Sequence, residues 1–347
     1  MKTKTYSAGV LLIAILLFFG CDQQRTEDTS VADSGSASEE SANRGTPVDG
    51  EDEIVPEKVE TIIAATPRPK IQLAIKNINR YPTRITKTPG GEYYVSNAQT
   101  NSVFIYNNSL QVIGELTGLN KPIGVVSDKD GNLFVANYGA GNVVFYQMDL
   151  VSMTAEKVYT IVKNIQTPFD LALDDAGRLY VANLGSNRVS VYKSKGKWIT
   201  HIGVGDGMDR PRTLALEYRV DTKGKKRGEL YVADKQSVVR VYDLKGELLR
   251  TFGSSFAAGR LLDRNWQGKF VSINGLALDE SGRLHVLDAG LNNVQIVDAI
   301  TGSYTNHYAQ TGQAEGQLLS PFGMVLDGPS RSIVTNTGNR RLEVFEF

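Results

Sequence analysis

An all-β fold, one unit repeated six times around a ring, is what the sequence predicts, and three observations predict it. The first is a strand–turn–strand stretch, GRLYVANLGSNRVSVY at residues 177–192, in which two runs rich in Val and Tyr flank a turn-forming LGSN. The second is its recurrence as GNLFVANYGAGNVVFY from Gly131, GELYVADKQSVVRVYD from Gly228 and GRLHVLDAGLNNVQIVD from Gly282. The third is composition. With 34 glycines, 11 prolines and 41% apolar residues in a chain of 347, the protein has material for many short strands and a large core.

Self-alignment extends the stretch to six units. They are YPTRITKTPGGEYYVSNAQTNSVFIY from Tyr81, KPIGVVSDKDGNLFVANYGAGNVVFY from Lys121, and TPFDLALDDAGRLYVANLGSNRVSVY from Thr167. RPRTLALEYRVDTKGKKRGELYVADKQSVVRVYD follows from Arg210, SINGLALDESGRLHVLDAGLNNVQIVD from Ser272, and SPFGMVLDGPSRSIVTNTGNRRLEVFEF from Ser320. Each supplies three strands, A (innermost), B and C. A fourth strand, D, is predicted at QVIGELT from Gln111, KVYTIVK from Lys157, WITHIGV from Trp198, ELLRTFG from Glu247 and SYTNHYA from Ser303. The sixth unit has no D strand after it. KIQLAIKNI from Lys70 alternates Ile71, Leu73 and Ile75 with Gln72, Ala74 and Lys76, so it is expected to supply the outer strand of the last blade and close the ring. Deleting residues 70–78 should then leave a poorly folded protein.

The repeated P-x-G/D-x-A-L-D, DxxGxLYVAD/N and NNRVxVF-type segments resemble the NHL repeat family over residues ~70–347. The resemblance implies a six-bladed β-propeller at about 40–50 residues per blade. Asn97, Asn137, Asn183, Asp234, Asp288 and Asn336 recur at one equivalent position. They are expected to be turn devices that satisfy nearby backbone groups, since a residue repeated in every blade marks no unique site.

Three domains are expected: 1–21, 22–69 and 70–347. Lys2 and Lys4 precede an apolar run of thirteen residues, 8–20, too short to span a bilayer and suited to a signal-peptide core. LFFGC resembles a bacterial lipoprotein signal, with Gly20 before Cys21 and Phe18 where such signals usually carry Leu. The resemblance implies that Cys21, the only cysteine, becomes acylated and N-terminal, which places the protein on a membrane at a bacterial cell envelope. Residues 22–60 hold 12 acidic and 3 basic residues and almost no aromatics, the composition of a disordered acidic stalk. The remainder, 61–347, holds 33 basic and 26 acidic residues.

In a propeller, positions that vary between blades are more telling than those that repeat. At the start of strand A the six units carry Thr83, Ile123, Phe169, Arg212, Asn274 and Phe322, followed by Arg84, Gly124, Asp170, Thr213, Gly275 and Gly323. Arg84, Asp170, Arg212, Thr213, Asn274, Phe169 and Phe322 are therefore candidate ligand-binding residues at the channel mouth, polar groups converging between apolar walls. Pairing of Arg84 with Asp170 as a channel plug is the structural alternative. Phe256, Arg260, Arg264 and Trp266, in the long connection 253–272, are candidate partner-contact residues.

The reading is a membrane-anchored binding scaffold or sensor for a protein, peptide or small ligand on the channel face. The alternative is a propeller hydrolase or lyase of lactonase-like or amidating-lyase-like type, with or without a metal. His201, His285 and His307 fall on outer or middle strands, so no metal ligand set, cofactor or catalytic residue is assigned. A mildly basic body without a basic stripe gives no expectation of nucleic-acid binding.

Overall fold

The computed structural model describes residues 81–220, 224–254 and 266–346, which belong to one compact unit, Pro67–Phe347. Its architecture is a six-bladed β-propeller. Blade 1 is β1 (Ile85–Lys87), β2 (Tyr93–Asn97), β3 (Ser102–Tyr106) and β4 (Val112–Leu116). Blade 2 is β5 (Pro122–Ser127), β6 (Leu133–Asn137), β7 (Asn142–Asp149) and β8 (Thr154–Ile161). Blade 3 is β9 (Pro168–Leu173), β10 (Leu179–Asn183), β11 (Arg188–Tyr192) and β12 (Trp198–Ile202). Blade 4 is β13 (Pro211–Val220), β14 (Lys226–Asp234), β15 (Val239–Asp243) and β16 (Leu248–Phe252). Blade 5 is β17 (Ile273–Leu278), β18 (Arg283–Asp288), β19 (Asn293–Asp298) and β20 (Tyr304–Tyr308). A short parallel pair, β21 (Gln310–Thr311) and β22 (Gln317–Leu318), lies in the connection to blade 6. Blade 6 has three strands among the described residues, β23 (Gly323–Leu326), β24 (Arg331–Asn336) and β25 (Arg341–Glu346).

Every blade is an antiparallel meander, and the five predicted D strands are β4, β8, β12, β16 and β20. The proposed closing strand, 70–78, lies outside the described residues. So do residues 1–69, where a signal and stalk are expected, with Cys21.

Burial follows strand position. The B strands YYVSN, LFVAN and LYVAN are buried at every residue, because one face packs on the blade before and the other on the blade after. The D strand YTNHY faces solvent along most of its length. Each blade–blade interface has its own apolar cluster. Tyr180, Ile202, Leu214 and Tyr242 join blades 3 and 4, for example, and Ile85, Tyr93, Val95 and Ile333 join blade 1 to blade 6. That last seam closes the ring. Lys87 Nζ lies 2.5 Å from Asp327 Oδ1, and the Thr335 and Thr337 hydroxyls donate to Thr83 O and Pro82 O.

Five of the six repeated Asn and Asp residues do more than shape their own turn. Asn183 Oδ1 accepts the N–H groups of Gln166 and Thr167, in the connection that leads into its blade. Asp288 accepts from Val271 and Ser272 in the same way, and also from Gly290 and Leu291 in its own turn. Asn137, Asp234 and Asn336 likewise accept from the incoming Asn120, Asp209 and Leu319 N–H groups, while Asn97 accepts from Gln99 and Thr100 in its own turn.

Candidate functional site: the channel mouth

Strand A of each blade begins at the channel, so one residue per blade from each register position faces its neighbours around the axis. Arg84, just before β1, reaches across this space. Its Nη1 donates to Asn274 O and, at 2.9 Å, to Phe322 O; its Nη2 donates to Arg212 O at 2.5 Å. Its Nε lies 3.4 Å from Asp170 Oδ1 without forming a hydrogen bond. One guanidinium therefore ties blade 1 to blades 3, 4, 5 and 6. Asp170 Oδ2 also accepts the Leu214 N–H at 3.0 Å. The Arg84 and Asp170 side chains are only 5% and 9% exposed. Burial pushes the Asp170 carboxyl up, opposed by the Arg84 charge and the Leu214 N–H, and pushes the Arg84 guanidinium down, opposed by Asp170.

Glycine in the neighbouring blades makes the crossing possible. A Cβ on Gly124 would sit 2.8 Å from Asp170 Cα, and one on Gly323 would sit 2.8 Å from Thr83 O. The inner strands approach too closely there for any side chain, and one long arginine occupies the axis. Beneath it a cavity of about 110 Å³ is lined by Asp170, Thr213, Gly275 and Met324 among others. That is well below the ~300–1,000 Å³ of small-molecule pockets. Arg84 and Asp170 thus form a plug, with Thr213 inside the channel beside it.

Above the plug lies a rim. The Phe169 and Phe322 rings lie 5.7 Å apart, and the Arg84 guanidinium carbon lies 5.9 and 5.3 Å from their centroids. Tyr138 meets Phe169 edge-on at 6.1 Å, and Ala98, Ile123 and Leu184 complete the apolar cluster. Arg212 Nη1 donates to Ser272 Oγ at 3.0 Å, and Asn274 Nδ2 donates to Pro321 O at 3.2 Å. Phe322, Arg212, Asn274, Tyr138 and Leu184 all keep partial exposure. Ala98, Tyr138 and Leu184 are not among the sequence-derived candidates. They immediately follow the repeated Asn, at another position that varies from blade to blade.

Trp266 lies apart from this rim. Its ring meets His307 at 4.8 Å and Tyr304 at 6.2 Å, both on β20, so it anchors the end of its connection on the outer strand of blade 5. Phe256, Arg260 and Arg264 lie outside the described residues. The three histidines stay apart: His201 on β12, His307 on β20, and His285 fully buried on β18 between Asp279 and Tyr308. Among the described residues no group of three or more His, Cys, Asp or Glu is arranged to hold a metal. The basic insertion of blade 4 extends the β13–β14 hairpin, where Lys226 pairs with Asp175 at 2.6 Å.

The fold defines the class, a six-bladed β-propeller. No family model matches the chain. Human E3 ubiquitin-protein ligase NHLRC1 is 27% identical over 150 residues, which is 40% of this chain and 37% of that protein. The match thus spans little more than a third of that relative's length. Among solved structures, virginiamycin B lyase from Staphylococcus aureus superposes with a TM-score of 0.52 at 13% identity, covering 80% of this chain and 88% of the lyase. A protein of unknown function from Bacteroides thetaiotaomicron gives a TM-score of 0.56 at 16% identity, covering 77% of this chain and 69% of that one. Identities this low show the fold alone.

Proposed function

We propose that the protein is a binding scaffold or sensor, tethered to a cell envelope by lipidated Cys21, that captures a protein, peptide or small ligand on its channel face. One observation carries the reading: the channel is sealed by a buried arginine directly beneath a half-exposed aromatic and polar rim. A sealed channel leaves the rim as a contact surface, with Phe322 and Tyr138, packed on the buried Phe169, as apolar anchors and Arg212 and Asn274 as polar ones. The acidic stalk holds the disc away from the membrane.

The alternative, a hydrolase or lyase, has a fold neighbour in a catalytically inactive variant of virginiamycin B lyase bound to quinupristin. Among the described residues the rim carries no histidine, and the carboxylate beneath it, Asp170, is spent on Arg84 and Leu214. That supports binding over acid–base chemistry. Quinupristin incubated with the protein should remain intact.

The test is native mass spectrometry of the full chain, solubilised from its own membrane. Wild type should carry a co-purifying species, and Phe322→Ala with Arg212→Ala should reduce its occupancy at least about tenfold with little change in melting temperature. Unchanged occupancy in the double variant would reject the rim as the site. Cys21→Ser should move the protein from the membrane to the soluble fraction.

A further inference from the structure

We infer that a cleft at the edge of blade 3 binds a small anion of carboxylate or phosphate chemistry, at a site separate from the channel mouth. The cleft lies between the turn joining β10 to β11 and the loop leading from β12 into blade 4. It has a volume of about 330 Å³ and is lined by Ser186, Asn187 and Arg188 on one side and by residues 203–205, 207 and 208 on the other.

Arg188 carries the argument. Its Nε is buried without a hydrogen-bond partner, and among the described residues no carboxylate pairs with it. A guanidinium is always charged, and its fork of N–H donors matches the two oxygens of a carboxylate or phosphate. Blade 6 shows what the fold does when this position is structural. Arg341 stands opposite Asn336 in its hairpin as Arg188 stands opposite Asn183. Arg341 is fully engaged. Its Nε donates to Glu343 Oε2 at 2.6 Å, its Nη1 to Gln313 O at 3.1 Å and its Nη2 to Ala314 O at 2.6 Å. In blade 3 the residue matching Glu343 is Ser190, whose hydroxyl is turned to Asn164 O and His201. Arg188 has lost both the acidic partner and the loop carbonyls.

The opposite wall suits an anion. Its sequence is GVGDG, with Gly203, Gly205 and Gly207 at φ +84°, +86° and +77°. Glycines in this region let successive backbone N–H groups turn toward one side, the geometry of anion-binding nests. Asp206, the only carboxylate of those five residues, does not line the cleft. Its Oδ2 accepts the Tyr242 hydroxyl at 2.7 Å, and its Oδ1 is buried without a partner. Arg240 Nη2 holds the loop from outside by donating to Gly207 O at 2.9 Å, so the wall is in place before any ligand arrives. The volume admits an organic acid or a small phosphate ester.

The test is equilibrium dialysis of the full-length protein in detergent against labelled inorganic phosphate and, separately, labelled succinate. One of the two should bind at a single saturable site, and the one that binds names the source of the anion. Arg188→Gln should weaken that binding at least about tenfold. Val204→Trp, at a residue 68% exposed on the cleft's outer wall, should obstruct the site without touching Arg188. Arg210→Gln removes an exposed neighbouring charge and should change binding less than about twofold. Phe322→Ala, at the channel rim, should leave it intact. Failure of both probes to bind, or binding that survives both Arg188→Gln and Val204→Trp, overturns the proposal.

Discussion

Arg84 and Arg188 are the same residue type in the same propeller, and they stand in opposite conditions. Arg84 is buried at the axis, where carbonyls from three blades and a carboxylate from a fourth surround its guanidinium. Arg188 lines an open cleft at the edge of blade 3 and has no such partner. The difference teaches how to tell structure from function in a repeat protein. A charge met by carbonyls and a counter-charge of its own fold holds the fold together. A charge for which the fold supplies no acceptor is available to something else.

Mutation can sharpen or break that contrast. Arg84→Met should have the largest effect, about 3–5 kcal/mol of lost stability in urea denaturation, because Asp170 is left buried without its counter-charge. A loss below about 1 kcal/mol would mean that Arg84 is not the plug its contacts describe.

The seam between blades 6 and 1 should come next, and pH reads it. Burial alone would raise Asp327, but hydrogen bonds from Lys87 and Tyr93 and the Lys87 charge outweigh burial and hold it below its usual value. A carboxyl depressed in the folded state contributes stability that is present above about pH 4 and is lost as pH falls through the folded value. Asp327→Asn should flatten that acid limb. On the alkaline side, burial and then the Asp327 hydrogen bond push Tyr93 up to about 12. Its contribution is present below about pH 10 and is lost as pH rises through 12, so Tyr93→Phe should reduce the alkaline loss.

Arg341→Met should cost about 1–2 kcal/mol, since it removes charge-assisted bonds at a partly exposed site. Arg188→Met should leave stability within about 0.5 kcal/mol of wild type while abolishing anion binding. If the two substitutions cost the same, the contrast between blades 3 and 6 fails.

The blades were legible because each repeats the same local pattern. Alternating Val and Tyr in LYVAN, a turn, and a second alternating run place strands B and C without long-range information. The D strands were legible for the same reason, down to WITHI at β12. At the varied start of strand A, Arg84 and Asp170 lie 3.4 Å apart, as positions at one channel mouth can. The rim residues Tyr138 and Leu184 escaped because each follows its repeated Asn in a turn, where no periodicity marks which way a side chain faces. The blade 3 cleft escaped for a different reason. Arg188 and Arg341 each open an apolar-alternating strand, RVSVY and RLEVF, and in the sequence the acid two residues later is present in one and absent in the other.

By itself, the sequence determined the all-β class, six units and the order of strands within each, because hydrophobic alternation and turn chemistry are local. Only the tertiary structure decided what the arginines do. Whether a guanidinium is saturated depends on carbonyls that ring closure brings together from residues far apart in the chain. Arg84 meets Asn274 and Phe322 across 190 and 238 positions of sequence, and no local pattern records such a meeting.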